Sequence, residues 1–178
     1  PVPFALGEIK ENITLNTNTP SKPSKEEIIS QAFKSHSQGN ISEATKYYQQ
    51  IINQGCNDHR VFSNYGVILK NIGKLQEAEL SFHKAIELNP DFANAHSNLG
   101  TTLQDLGKLQ EAETSYRKAI ELNPDDTEAT LKLSLLKLLQ GDYKNGLENY
   151  EFRSKTNKPI APHGQPKIKQ IDNQKLEK

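Results

Sequence analysis

Few residues of this chain are spaced for covalent chemistry. Its histidines, His36, His59, His83, His96 and His163, show no metal-ligand pattern beyond Cys56 and His59, three apart in a predicted turn. Neither a glycine-rich phosphate loop nor a nucleophile-elbow pattern occurs. The acid pairs Glu77/Glu79 and Asp125/Asp126 read as a solvated helix face and as a helix start rich in negative charge. No metal, cofactor or catalytic residue is assigned, and any catalysis would have to come from a domain outside this sequence. What remains are two amides, Asn64 and Asn98. An asparagine side chain carries both a donor and an acceptor, so it can pair with the N–H and C=O of a peptide backbone whatever the peptide's sequence. The alternative is that each amide caps or bridges its own hairpin.

Amides used in that way need a scaffold that repeats them. The 178 residues leave room for one domain or two small ones, and 22 basic residues offset 22 acidic ones. Zero net charge weighs against a dedicated nucleic-acid partner, and no stretch approaches the roughly 20 apolar residues of a membrane span. An apolar fraction of 34% is thin for one round core but suits an elongated array in which each unit buries only its sides. The single cysteine cannot form an internal disulfide, which fits a reducing, cytoplasmic setting. A chain that opens at Pro1 and contains no Met reads as a piece of something longer.

The array is visible as a repeat. Residues 59–92 and 93–126 are both 34 long and identical at 20 positions. Extending the frame gives 25–58, which keeps Gly39, Ala44 and Tyr48, and 127–160, which keeps Gly141 and Tyr150. Within a unit, Leu99, Leu103 and Leu106 mark one helix face, and Leu109, Ala112, Tyr116, Ala119 and Ile120 mark a second. Gly39, Gly73, Gly107 and Gly141 fall between the helices, where a chain ending a helix with positive φ excludes most other residues. Pro90 and Pro124 close the second helices. Small residues at Gly66, Ala78, Gly100 and Ala112 fall where the paired helices cross closely.

These features resemble the tetratricopeptide repeat over about residues 25–158: the period, the small residues just named, the aromatics Phe82 and Tyr116, Ala85 and Ala119, and the two prolines. The outer units depart from the motif, with Cys56 in place of proline, Gly146 in place of alanine and Arg153 in place of a second alanine. The stretch DFANAHSNLG is also similar to the repeats that precede the catalytic region of O-linked N-acetylglucosamine transferases and of related bacterial repeat-transferase proteins. The resemblance implies an all-α, right-handed α-solenoid of four helical hairpins whose concave surface, lined by the first helix of each pair, holds extended peptide.

In that frame the inward positions are Arg60, Ser63, Asn64, Val67, Lys70 and Asn71, then Asn94, Ser97, Asn98, Thr101, Gln104 and Asp105. Asn64 and Asn98 are similar to two rungs of the asparagine ladder of those transferases, with Ser30 and Lys132 at the corresponding outer places. The ends of the groove turn apolar, with Ile29 and Phe33 in the first unit and Leu131, Leu135 and Leu138 in the last. Such patches mark a contact surface. Alternatively the end units are re-registered and the leucines pack on a neighbour or beneath a tail.

The flanks read as an extended amino-terminal arm, 1–24, and an extended carboxy-terminal tail or linker, 159–178. The arm is punctuated by Pro20 and Pro23 yet carries Val2, Phe4, Leu6, Ile9, Ile13 and Leu15, and is expected to dock into a repeat groove, its own or a neighbour's. From Arg153 onward seven basic residues face two acidic ones, a net of +5, which reads as a solvated linker and not a nucleic-acid site. The expected function is a non-catalytic protein-interaction module that binds an extended peptide or partner segment, with neither membrane nor nucleic acid as partner. The alternatives are the substrate-recruiting region of a larger glycosyltransferase-like enzyme, and a self-assembling module that forms a homo-oligomer through its terminal repeats or its arm.

Overall fold

The computed structural model describes residues 23–147. Seven α-helices follow one another: α1 (Lys25–Ser37), α2 (Ile41–Asn53), α3 (His59–Asn71), α4 (Leu75–Leu88), α5 (Ala93–Asp105), α6 (Leu109–Leu122) and α7 (Thr127–Leu139). Residues 143–147 are helical as well. The helices pack as antiparallel pairs stacked into a right-handed α-solenoid, in which α3, α5 and α7 succeed one another along one side. The expectations for the arm up to residue 22, for the aromatic position Tyr150 and for the tail lie outside the described residues. Among the described residues no helix is long and apolar enough to cross a membrane.

Each first helix stops in the same way. Gly39, Gly73, Gly107 and Gly141 have φ of 77°, 79°, 76° and 81°. The left-handed turn lets the next N–H reach back five residues: Asn40 to the Ser35 carbonyl, Lys74 to Leu69, Lys108 to Leu103 and Asp142 to Lys137, all at 2.8 to 2.9 Å. Second helices stop in two ways. At Asn89 and Asn123 the backbone is extended ahead of Pro90 and Pro124. In the first unit, where Cys56 replaces the proline, a fifth glycine, Gly55, takes φ 76° instead.

Tight crossing explains the small residues. Ala44, Ala78 and Ala112 have no exposed surface, and a Cβ built on Gly66 or Gly100 would stand 2.9 Å from the Phe82 ring or 2.7 Å from the Tyr116 ring. The core forms two clusters, one around Ile28, Tyr48, Ile51, Val61 and Ile68, the other around Leu69, Phe82, Leu99, Leu103, Tyr116 and Leu136. Tyr65 packs against both. Partly buried ion pairs staple neighbouring units: Lys108 Nζ lies 2.7 Å from Glu79 and Lys137 Nζ 2.8 Å from Glu113. The sequence expectation of a solvated acid face therefore holds for Glu77 but not for Glu79, whose side chain is 15% exposed and faces the next unit.

Candidate functional site

Because first helices recur every 34 residues, equivalent positions on α3, α5 and α7 line up across the solenoid. Asn64, Asn98 and Lys132 occupy one such row, and all three open into a single depression of ≈ 260 Å³. Ser63, Asn94 and Ser97 line it too, as do Phe92, Asp126 and Glu128, which the sequence reading did not select. The signal for Glu128 was present, since adding one period to Asn94 gives that position. Ser63 and Ser97 are buried and form the floor, whereas Asn94 stands exposed at the edge.

The three rungs are not equivalent. Burial pushes the Tyr48 hydroxyl of the preceding unit up to about 12, and the Asn64 side chain beside it opposes that rise. Among the described residues, no hydrogen bond engages the Asn98 side chain. Lys132 pairs with Glu128 at 2.8 Å, and that ammonium holds the Glu128 carboxyl below its usual range. Asp126 caps α7 by accepting from the Glu128 and Ala129 N–H groups at 3.0 and 3.1 Å. Phe92 meets the His59 ring edge-on, 4.7 Å between centroids. The depression thus presents amides and hydroxyls in its middle and a neutralised ion pair at one side.

The other selected residues lie elsewhere. Thr101 and Gln104 sit 3.2 Å from the Tyr116 hydroxyl and bridge the two helices of their own hairpin. Val67 packs against the core, and Lys70 is half-buried on the same helix. Leu131 is half-buried and Leu135 is 45% exposed on α7, outside the depression. Arg60 belongs to a second, larger opening of ≈ 930 Å³ at the α1 end, with Ile29, Ser30 and Phe33. Its guanidinium is fixed by Asp58 at 2.6 to 3.2 Å and lies 5.5 Å from the centre of the Phe33 ring. The hydrogen bond from Arg60 holds the Asp58 carboxyl below its usual range. Among the described residues no group of three or more His, Cys, Asp or Glu side chains is placed to share a metal ion.

Comparison with known proteins places this geometry. Family models for the tetratricopeptide repeat match residues 93–126 and 66–107. No curated protein sequence matches the chain. Its fold is similar to the crystal structure of MamA, with a TM-score of 0.66 and 22% identity over 74% of this chain and 81% of that one. It is similar to the first tetratricopeptide domain of Spaghetti (RPAP3), a structure bound to the HSP90 peptide SRMEEVD, with a TM-score of 0.62 and 25% identity over 66% and 93%. A mutant O-GlcNAc transferase from Thermobaculum terrenum shares the fold at a TM-score of 0.59 and 22% identity, over 64% of this chain but only 22% of the transferase. With a 34-residue period, glycine-stopped hairpins and alanines at the crossings, the chain carries tetratricopeptide repeats, matched by the family models over residues 66–126.

Proposed function

We propose that this protein is a non-catalytic interaction module that holds an extended segment of a partner protein along α3, α5 and α7, with Asn64 and Asn98 pairing to the segment's backbone. The observation that carries the reading is the shared depression: two amides one unit apart open into it, and the Asn98 amide has no partner within the described fold. Asn98 is half-buried with its amide atoms open to solvent, so it is free to exchange water for the N–H and C=O of a peptide. The likeness to a tetratricopeptide domain bound to a peptide supports the same direction.

The test begins with selection of binders from a library of random extended peptides. Asn98→Ala should then weaken all selected peptides by a similar factor, about 2- to 10-fold for a net hydrogen bond of ~0.5 to 1.5 kcal/mol, because a backbone contact is blind to side chains. Its melting temperature should stay near that of the parent. Asn64→Ala, which removes the other amide of the row, should weaken the same peptides by a similar factor. Unchanged affinity in Asn98→Ala would refute the ladder, and a loss confined to peptides of one sequence would replace backbone pairing with side-chain recognition.

A further inference from the structure

The ≈ 930 Å³ opening at the α1 end differs in kind from the amide-lined depression. Half-buried Ile29 and Phe33 form its apolar wall, buried Cys56 lines it, and Arg60 stands at its rim with the guanidinium stacked on Phe33. In the row occupied by Ile29 the next two units carry Ser63 and Ser97 and the last carries Leu131, so the apolar character lies at the ends of the row and not in its middle.

The leading face of the first unit indicates what does not fill this opening. Units two to four bury Val61, Ala95 and Ala129, and Ile68, Thr102 and Leu136, against the unit before them. The first unit has Glu27 and Lys34 at those two positions, both exposed, and Glu27 is engaged in a capping box with Ser24. A second copy stacking on this face as a further repeat would bury both charges, which is unfavourable without partners. The apolar surface therefore runs along the opening and not across the end of the stack, a shape that suits an extended chain.

We infer that residues 1–22 of the same chain supply that segment, with Phe4 seated against Ile29 and Phe33. The segment ends three residues before Lys25, which itself lines the opening. Extended, 22 residues span up to about 70 Å, against about 20 Å for the 13 residues of α1, so reach is no obstacle. In an extended chain alternate residues share a side, and Val2, Phe4 and Leu6 form such an apolar set, with Phe4 the segment's aromatic. The inference does not depend on peptide binding at Asn98, which lies in the other depression.

The chain's single cysteine provides the test. Leu6→Cys, which keeps Phe4, and, separately, Thr17→Cys are made in the full chain, oxidised mildly, and followed by non-reducing electrophoresis and peptide mass spectrometry. A docked arm closes the intramolecular disulfide from position 6 to Cys56 on the order of tenfold faster than from position 17, because docking raises the local concentration of the introduced thiol. A free arm would give position 17, nearer in sequence, the equal or faster rate and would overturn the proposal, as would a disulfide-linked dimer. If neither thiol reacts, hydrogen exchange decides: Phe4→Asp should speed exchange of residues 29–33 several-fold over the unaltered chain. Unchanged exchange there overturns the docking.

Discussion

The second and third units are 34 residues each and identical at 20 positions, yet they differ at the aromatic that fills the hairpin. Tyr116 is fully buried with its hydroxyl 3.2 Å from Thr101 Oγ1 and 3.2 Å from Gln104 Oε1. Phe82 is equally buried and has no hydroxyl, and the positions facing it are Val67 and Lys70. The first unit follows the rule from the other side: the Tyr48 hydroxyl lies 3.2 Å from His36 Nδ1, at the place taken by Lys70 and Gln104 in the next two units. A hydroxyl is present where the first helix supplies a neutral polar partner. Identical positions build the solenoid, and the paired differences decide which polar groups are consumed inside a hairpin.

Removing either ring breaks both units and should produce the largest effects. Phe82→Ala and Tyr116→Ala each delete a side chain without exposed surface, a loss of ~3 to 5 kcal/mol for buried aromatics. The glycine that admits each ring sharpens the contrast. A Cβ at position 100 would meet two atoms of the Tyr116 ring at 2.7 and 2.8 Å, against 2.9 Å for both at position 66, and Tyr116 is anchored by its hydroxyl. Gly100→Ala should therefore destabilise more than Gly66→Ala, within ~1 to 3 kcal/mol for overpacking and less whatever the helix gains from alanine. Urea melts of the four variants check the order. Equal losses in the two alanines would show that the ring in unit three moves aside as freely as that in unit two.

Much of this architecture was legible in the sequence, because a helix stop leaves a residue-specific mark. Gly39, Gly73, Gly107 and Gly141 take the positive φ expected of them, and Ala78 and Ala112 lie at the crossings. Gly55 was not anticipated as a stop, since the motif offers proline one residue later and Cys56 obscured the substitution. The polar surface was less legible. Periodicity identifies equivalent positions but not what stands across from them. Thr101 and Gln104 share the inward row with Val67 and Lys70, yet the Tyr116 hydroxyl draws them into the hairpin. Glu79 reads as solvated until Lys108 of the next unit is placed beside it.

Moving the hydroxyl should produce a smaller effect. Tyr116→Phe removes hydrogen bonds to two half-buried groups and should cost about 1 kcal/mol. Phe82→Tyr alone places a hydroxyl opposite Val67 and Lys70. Adding Val67→Thr and Lys70→Gln supplies the partners that unit three uses, and should recover about 1 kcal/mol relative to Phe82→Tyr. Denaturant midpoints of the single and triple variants measure the coupling. A triple variant no more stable than Phe82→Tyr would show that the pairing in unit three depends on its surroundings and not on those three residues.

The smallest expected difference concerns the ion pairs between units. Glu79 and Glu113 are equivalent positions, but Glu79 binds one cation, Lys108, whereas Glu113 lies 2.8 Å from Lys137 and 2.9 Å from Arg117. The hydrogen bond from Lys137, aided by Arg117 and opposed by partial burial, holds the Glu113 carboxyl below its ordinary 4.5. A carboxyl lowered in this way binds fewer protons folded than unfolded, so its contribution is fully present above about pH 4.5 and falls away as the pH drops through the folded value. Glu113→Gln should cost ~1 kcal/mol or less at pH 7, and the deficit should close on acidification because the parent then loses the same interaction. Glu79→Gln, with one partner, should cost less at neutral pH. The check is the difference in denaturant midpoint between parent and variant at pH 7 and at pH 3. A Glu113→Gln deficit that does not shrink at all as the pH falls from 7 would assign the loss to packing and leave the ion pair without a role in joining the third unit to the fourth.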